Sequence, residues 1–141
     1  MLSCSVLCTA ATETPLSGTK TTIEYLENGD YIKTVITWEE SNTRSSKTAS
    51  KTATHYNNND EALWSVTVRG TFTYNGTTST CTSCSHSTAT YSSVVTVNNA
   101  SSSRSGNKAT ATATATITVA FVSVDKTLST TLTCSPTGVL S

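Results

Sequence analysis

Ten residues near the C-terminal end constrain the fold more than any other part of the chain. From Ala109 to Thr118 the sequence reads Ala-Thr-Ala-Thr-Ala-Thr-Ala-Thr-Ile-Thr. A helix turns every 3.6 residues and would scatter both residue types around its axis, whereas a strand sends alternate residues to opposite faces. The segment therefore predicts a strand with Ala109, Ala111, Ala113, Ala115, Ile117, Val119 and Phe121 on one face. Thr110 to Thr118 make the other face, which threonine suits because its branched side chain fits a pleated surface. An inner face this small requires an opposing layer that is close or that supplies large residues, and Trp38 or Trp64 could do so.

The same period-2 pattern recurs between turn residues. Asn28-Gly29 predicts a two-residue type I′ hairpin pairing Leu26 with Tyr31, Tyr25 with Ile32 and Glu24 with Lys33. One face then collects Ile23, Tyr25, Ile32, Ile36 and Trp38. Residues 44–56 read as a polar strand near an edge, where Lys47 and Lys51 would oppose edge pairing. Trp64, Val66, Val68, Gly70, Phe72 and Tyr74 share a face of the clearest strand, and Asn75-Gly76 predicts a second type I′ hairpin. Residues 88–98 read as a further strand and Ser101–Asn107 as a turn. About eight strands on short connections fit an antiparallel β-sandwich, with a small barrel as the alternative.

Composition excludes several classes. Two Pro and six Gly in 141 residues are too few for collagen-like or Pro/Gly-rich disordered chains. A formal net charge of +0 and no basic cluster argue against nucleic acid and anionic membrane as partners. No apolar run is long enough for a transmembrane helix. There are 22 Ser and 32 Thr, and in the strand register many of the threonines fall on outward positions. Residues 1–11 end in small residues (Thr9-Ala10-Ala11) before a polar stretch, the pattern of the tail of an export signal. That leaves 12–141 as one β domain, secreted or loosely attached to a cell surface.

Export permits a disulfide. Of Cys81, Cys84 and Cys134, the expected hairpin register places Cys81 on the apolar face and Cys84 on the opposite one. Cys134 follows Leu128, Thr130 and Leu132 on its own apolar face. Two inward cysteines can meet, so Cys81–Cys134 is the expected bond, contributing roughly 4 kcal/mol in the chain-entropy model.

Four segments resemble small secreted Ser/Thr-rich β proteins of Gram-positive, Clostridia-type gut bacteria. They are Thr22–Thr34 (TIEYLENGDYIKT), Ala62–Gly76 (ALWSVTVRGTFTYNG), Ser103–Ala111 (SRSGNKATA) and Thr131–Ser141 (TLTCSPTGVLS). The resemblance implies export, the β fold and a structural role for Cys134. It carries over no catalytic residue.

No chemistry-bearing constellation is complete. Cys81-x-x-Cys84-x-His86 has zinc-like spacing but lacks a second close pair, and a zinc site wants four ligands. Redox use of Cys-x-x-Cys wants a helix N-terminus, which a Thr-rich strand does not provide. There is no Gly-x-Ser-x-Gly elbow, no phosphate-binding Gly loop, and the acidic pairs Glu39-Glu40 and Asp60-Glu61 sit at turns. His55 and His86 read as exposed strand residues. The chain is therefore expected to be no enzyme and to use no cofactor or metal. Its expected role is a secreted structural or protein-interaction module with an unknown extracellular protein or glycan as partner. Carbohydrate binding through exposed aromatics is the alternative, with Tyr31 as the candidate ligand-facing ring.

Overall fold

The computed structural model describes residues 17–40 and 45–141, so the expected signal segment 1–11 and residues 41–44 lie outside the described residues. It contains eight antiparallel strands in two sheets and no helix among those residues, and the sheets do not close into a barrel. The first sheet holds β1 (Ser17–Tyr25), β2 (Tyr31–Glu40), β3 (Ser46–Tyr56), β4 (Ala62–Tyr74) and β5 (Ser79–Thr90), in that spatial order. The second holds β6 (Val95–Ser105), β7 (Lys108–Val119) and β8 (Val122–Thr133), also in order. Each sheet is a meander, and the narrower one packs across β3, β4 and β5.

The Ala/Thr strand is β7, and its parity is as the sequence requires. Ala109, Ala111, Ala113 and Ala115 are buried against the first sheet. The layer they meet is close as well as large. A Cβ on Gly70 of β4 would stand 3.1 Å from the Cβ of Ala109 and 3.0 Å from the Phe72 ring. Trp64, Val66, Val68 and Phe72 of β4 are fully buried on the same interface. Trp38 is only partly buried, at the margin of this core, and lies over Gly18 of β1, where any side chain would collide with the indole. On the outer face, Thr110 bonds Thr131 at 3.0 Å, Thr112 bonds Ser129 at 3.0 Å and Thr114 bonds Thr127 at 3.1 Å, forming a cross-strand hydroxyl ladder.

Several expected registers are corrected. The β1–β2 loop has three residues, Glu27-Asn28-Gly29, with Gly29 at φ +90° and the Leu26 N–H bonded to the Asp30 carbonyl at 2.8 Å. A type I turn followed by a left-handed glycine produces this loop. It slips the pairing by one, so Tyr25 faces Tyr31 and Glu24 faces Ile32. A one-residue slip moves every side chain to the other face. Ile23 and Tyr25 therefore lie outside, 50% and 72% exposed.

The β4–β5 turn is centred on Gly76-Thr77 instead of Asn75-Gly76, with the Asn75 N–H bonded to the Thr78 carbonyl. Gly76 alone takes positive φ there, so this turn is not type I′. Ser101–Ser105 belongs to strand β6, and the following turn is Gly106-Asn107. Residues 91–94 form the corner between the sheets.

β3 is the central strand of its sheet, not an edge. Its lysines reach across the sandwich with their stems buried. Lys51 Nζ donates to the Thr131 carbonyl at 2.8 Å, and Lys47 Nζ donates to the Gly138 carbonyl. Aliphatic stems filling apolar space while the ammonium finds a carbonyl is ordinary snorkelling. Burial, with a smaller contribution from Lys20, lowers the pKa of Lys51.

Overpacking should be most costly where the sheets approach closest. Ala109→Leu is expected to destabilise the domain by about 1–3 kcal/mol, read as a lower urea midpoint at constant slope. Thr112→Val on the outer face should stay within about 0.5 kcal/mol of wild type.

Candidate functional site

Four connections converge at one pole of the sandwich and enclose a half-open cavity of about 800 Å³. Asn28 and Asp30 come from the β1–β2 turn, Asn57 and Glu61 from the β3–β4 turn, and Tyr91 and Val94 from the corner. The opposite wall is the inner face of the β7–β8 hairpin, with Ile117, Val119, Val122 and Val124.

That hairpin outruns its neighbours. β6 begins at Val95, opposite Ile117, so beyond Thr118 only β7 and β8 remain paired. The tip is Ala120-Phe121, at φ +51° and +67°. Left-handed backbone is disfavoured for residues with a Cβ, more so for a bulky one. Phe121 was expected on the buried alanine face. It instead sits in this turn, fully exposed at 103%, beside Val119 and Val122 at 59% and 63%. From Ala109 to Val124 the hairpin carries no charged residue.

Across the cavity, Asp30 accepts a 2.9 Å bond from Nε2 of His55, which must carry the proton because a carboxylate only accepts. His55 is 3% exposed, correcting the expectation of an exposed strand residue. It faces inward from β3 at the point where a bulge shifts the register between His55 and Tyr56. Leu63 lies at the same irregularity and is buried against the cavity. His86 is exposed and bonds Ser102 at 2.8 Å.

Tyr31 lies on the outer face of the first sheet, as its parity requires. The corrected register places it between two other rings. Tyr31 and Tyr56 stack with centroids 4.9 Å apart and planes 6° from parallel, and Tyr25 leans on Tyr31 at 5.5 Å and 51°. The Tyr31 hydroxyl donates to Asp60 at 2.9 Å. Partial desolvation first, and then that bond, holds the phenol above its ordinary pKa. The stack uses one face each of Tyr31 and Tyr56, and Tyr25 leans on Tyr31, so the central ring is the least open to a ligand and Tyr25 the most exposed.

The cysteines differ from expectation in two ways. Cys81 and Cys134 are both buried in the common core, but their thiols are free and the expected bond is not formed. Each thiol points to a carbonyl of its own segment, Cys81 to Ser83 at 3.1 Å and Cys134 to Ser135 at 3.5 Å. Burial, the largest effect on both, raises their pKa values. Cys84 is not outward. A bulge at Thr82, between the pairs Phe72–Cys81 and Thr71–Ser83, returns Cys84 to the inner side opposite Gly70. Among the described residues no group of three or more His, Cys, Asp or Glu could hold a metal ion. No described helix is long and apolar enough to cross a membrane.

No protein-family model, curated protein or solved structure matches the chain.

The strained tip gives a direct stability prediction. Replacing Ala120-Phe121 with Asn-Gly, which tolerates positive φ, should raise unfolding free energy by on the order of 1–3 kcal/mol. Chemical denaturation of the double variant measures this, and an unchanged midpoint would mean the turn stores no strain.

Proposed function

We propose that the chain is an exported, non-enzymatic interaction module that grips a protein partner with the tip of the β7–β8 hairpin. The carrying observation is Phe121, fully exposed on a strained, charge-free ribbon that packs against no third strand beyond Thr118. Strained backbone concentrates at functional sites, because elsewhere it is easily relieved by glycine or asparagine. An exposed aromatic flanked by valines is the composition of an interface anchor, which gains most of its energy when a partner pocket desolvates it. The sparsely charged, hydroxyl-rich outer faces suit an extracellular setting, and the resemblance to secreted proteins points the same way.

A glycan is the second reading, favoured by the free face of Tyr25, 72% exposed at the end of the tyrosine stack. It ranks below the first because sugar stacking wants open ring faces and Tyr31, the central ring, has a neighbouring ring on each side.

The readings separate by mutation. Immobilised wild-type domain and the Phe121→Asp variant should be presented with extracts of intact bacterial envelope and culture fluid. A prey retained by wild type and weakened at least about tenfold by Phe121→Asp supports the protein reading. Binding to a glycan array, lost on Tyr25→Ala and indifferent to Phe121→Asp, would overturn it in favour of the second.

A further inference from the structure

We propose that the pole cavity binds one small amphipathic molecule with an apolar body and a cationic amine head. At about 800 Å³ it falls within the size range of ligand pockets. Its surfaces are also segregated in the way such a ligand needs. Leu63, Val94, Ile117, Val122 and Val124 form a continuous apolar lining, and Val122 and Val124 remain exposed. In an exposed two-stranded ribbon nothing within the fold requires valine on this inner face, which continues the alanine row past the edge of the packed core.

The polar groups gather on the other wall. His55, nearly completely buried, lines the cavity and is fixed by its 2.9 Å bond to Oδ2 of Asp30. The Asp30 side chain keeps 16% of its exposure, and among the described residues Oδ1 has no hydrogen-bond partner. Glu61, beside it in the lining, is held by the Asn57 amide at 3.2 Å. Two carboxylates therefore face the space from one wall, while the single lysine, Lys126, stands on the opposite hairpin. A cationic head reaching Oδ1 would make a charge-assisted bond in a partly desolvated site, where such bonds are strongest. An anionic head would be opposed by both carboxylates, with Lys126 the one lysine in the lining to pair with it.

The inference does not depend on the protein-interaction reading, because Phe121 does not line the cavity. It also differs from the glycan reading, whose rings lie on the outer face of the sheet.

The test uses N-phenyl-1-naphthylamine as a fluorescent probe on the whole chain. Saturable one-to-one enhancement is expected, displaced by dodecylamine at least about tenfold better than by dodecanoate. Val124→Lys, at an exposed lining position, should abolish the enhancement while circular dichroism and the unfolding midpoint stay as in wild type. Asp30→Asn should keep probe binding but lose the preference for the amine, and Glu61→Gln should reduce that preference if Asp30→Asn fails to fold. Phe121→Ser should bind the probe as wild type does, so failure of the partner reading leaves this one standing. Absence of saturable binding, equal displacement by dodecanoate, or full binding by Val124→Lys would overturn the proposal. So would a dimer seen by sedimentation that excludes the probe, since a second copy would then fill the cavity.

Discussion

The contact between the two sheets at Gly70 and Ala109 sets the rest of the molecule. Two small residues meet there because a Cβ on Gly70 would already crowd both Ala109 and Phe72. The sheets are thereby held close along β4 and β7, and the four buried alanines keep that spacing. Moving toward the pole, the buried side chains of β4 lengthen from Gly70 through Val68 and Val66 to Trp64, and β7 ends its alanine row at Ile117. The first sheet then gives way to turns while β7 and β8 continue. The cavity and the projecting tip are two consequences of one hairpin being longer than the layer it packs on.

A sandwich with so few charges must still deal with polar backbone at its margins. Much of the work falls to three lysines on the inner side of the first sheet. Lys20 donates to the Leu140 carbonyl at 3.2 Å, Lys51 to Thr131, and Lys47 to Gly138 while lying 5.6 Å from the Tyr74 ring centre. The last residues fold back so that Thr133 and Ser141 exchange backbone bonds at 2.9 and 3.0 Å, covering one end of the β8 edge. These contacts tie β3 to β8, and β1 and β3 to the C-terminal segment, across the open side of the sandwich. Capping carbonyls in this way also blunts a strand edge that would otherwise invite pairing.

What was legible in the sequence was parity, and what was hidden was register. Ala109–Thr118, Trp64–Tyr74 and Leu128–Cys134 carry enough alternation to identify strands and their buried faces without any partner. Turn geometry is finer than the dipeptide that signals it. Asn28-Gly29 serves a three-residue loop as readily as a two-residue one, and that single residue decides whether Tyr25 is core or surface. The tyrosine stack and the Asp30–His55 pair were invisible for this reason, since both depend on where the loop ends. The bulge at Thr82 that turned Cys84 inward has no local signature in a run of Ser, Thr and Cys. Phe121 was misplaced because uninterrupted alternation gives no stop signal, and Ala-Phe is an unfavourable sequence for the turn it makes.

The central claim is that one hairpin is half core and half free ribbon, and native-state hydrogen exchange tests it residue by residue. Amides at the inter-sheet contact, Ala109 to Ala115 of β7 with Val66 and Val68 of β4, are expected to exchange only through global unfolding. Amides from Val119 to Val124 should exchange orders of magnitude faster through local opening of the ribbon. Protection continuing unchanged from Ala115 through Phe121 to Val124 would contradict the account, because the tip would then belong to the core it is argued to leave.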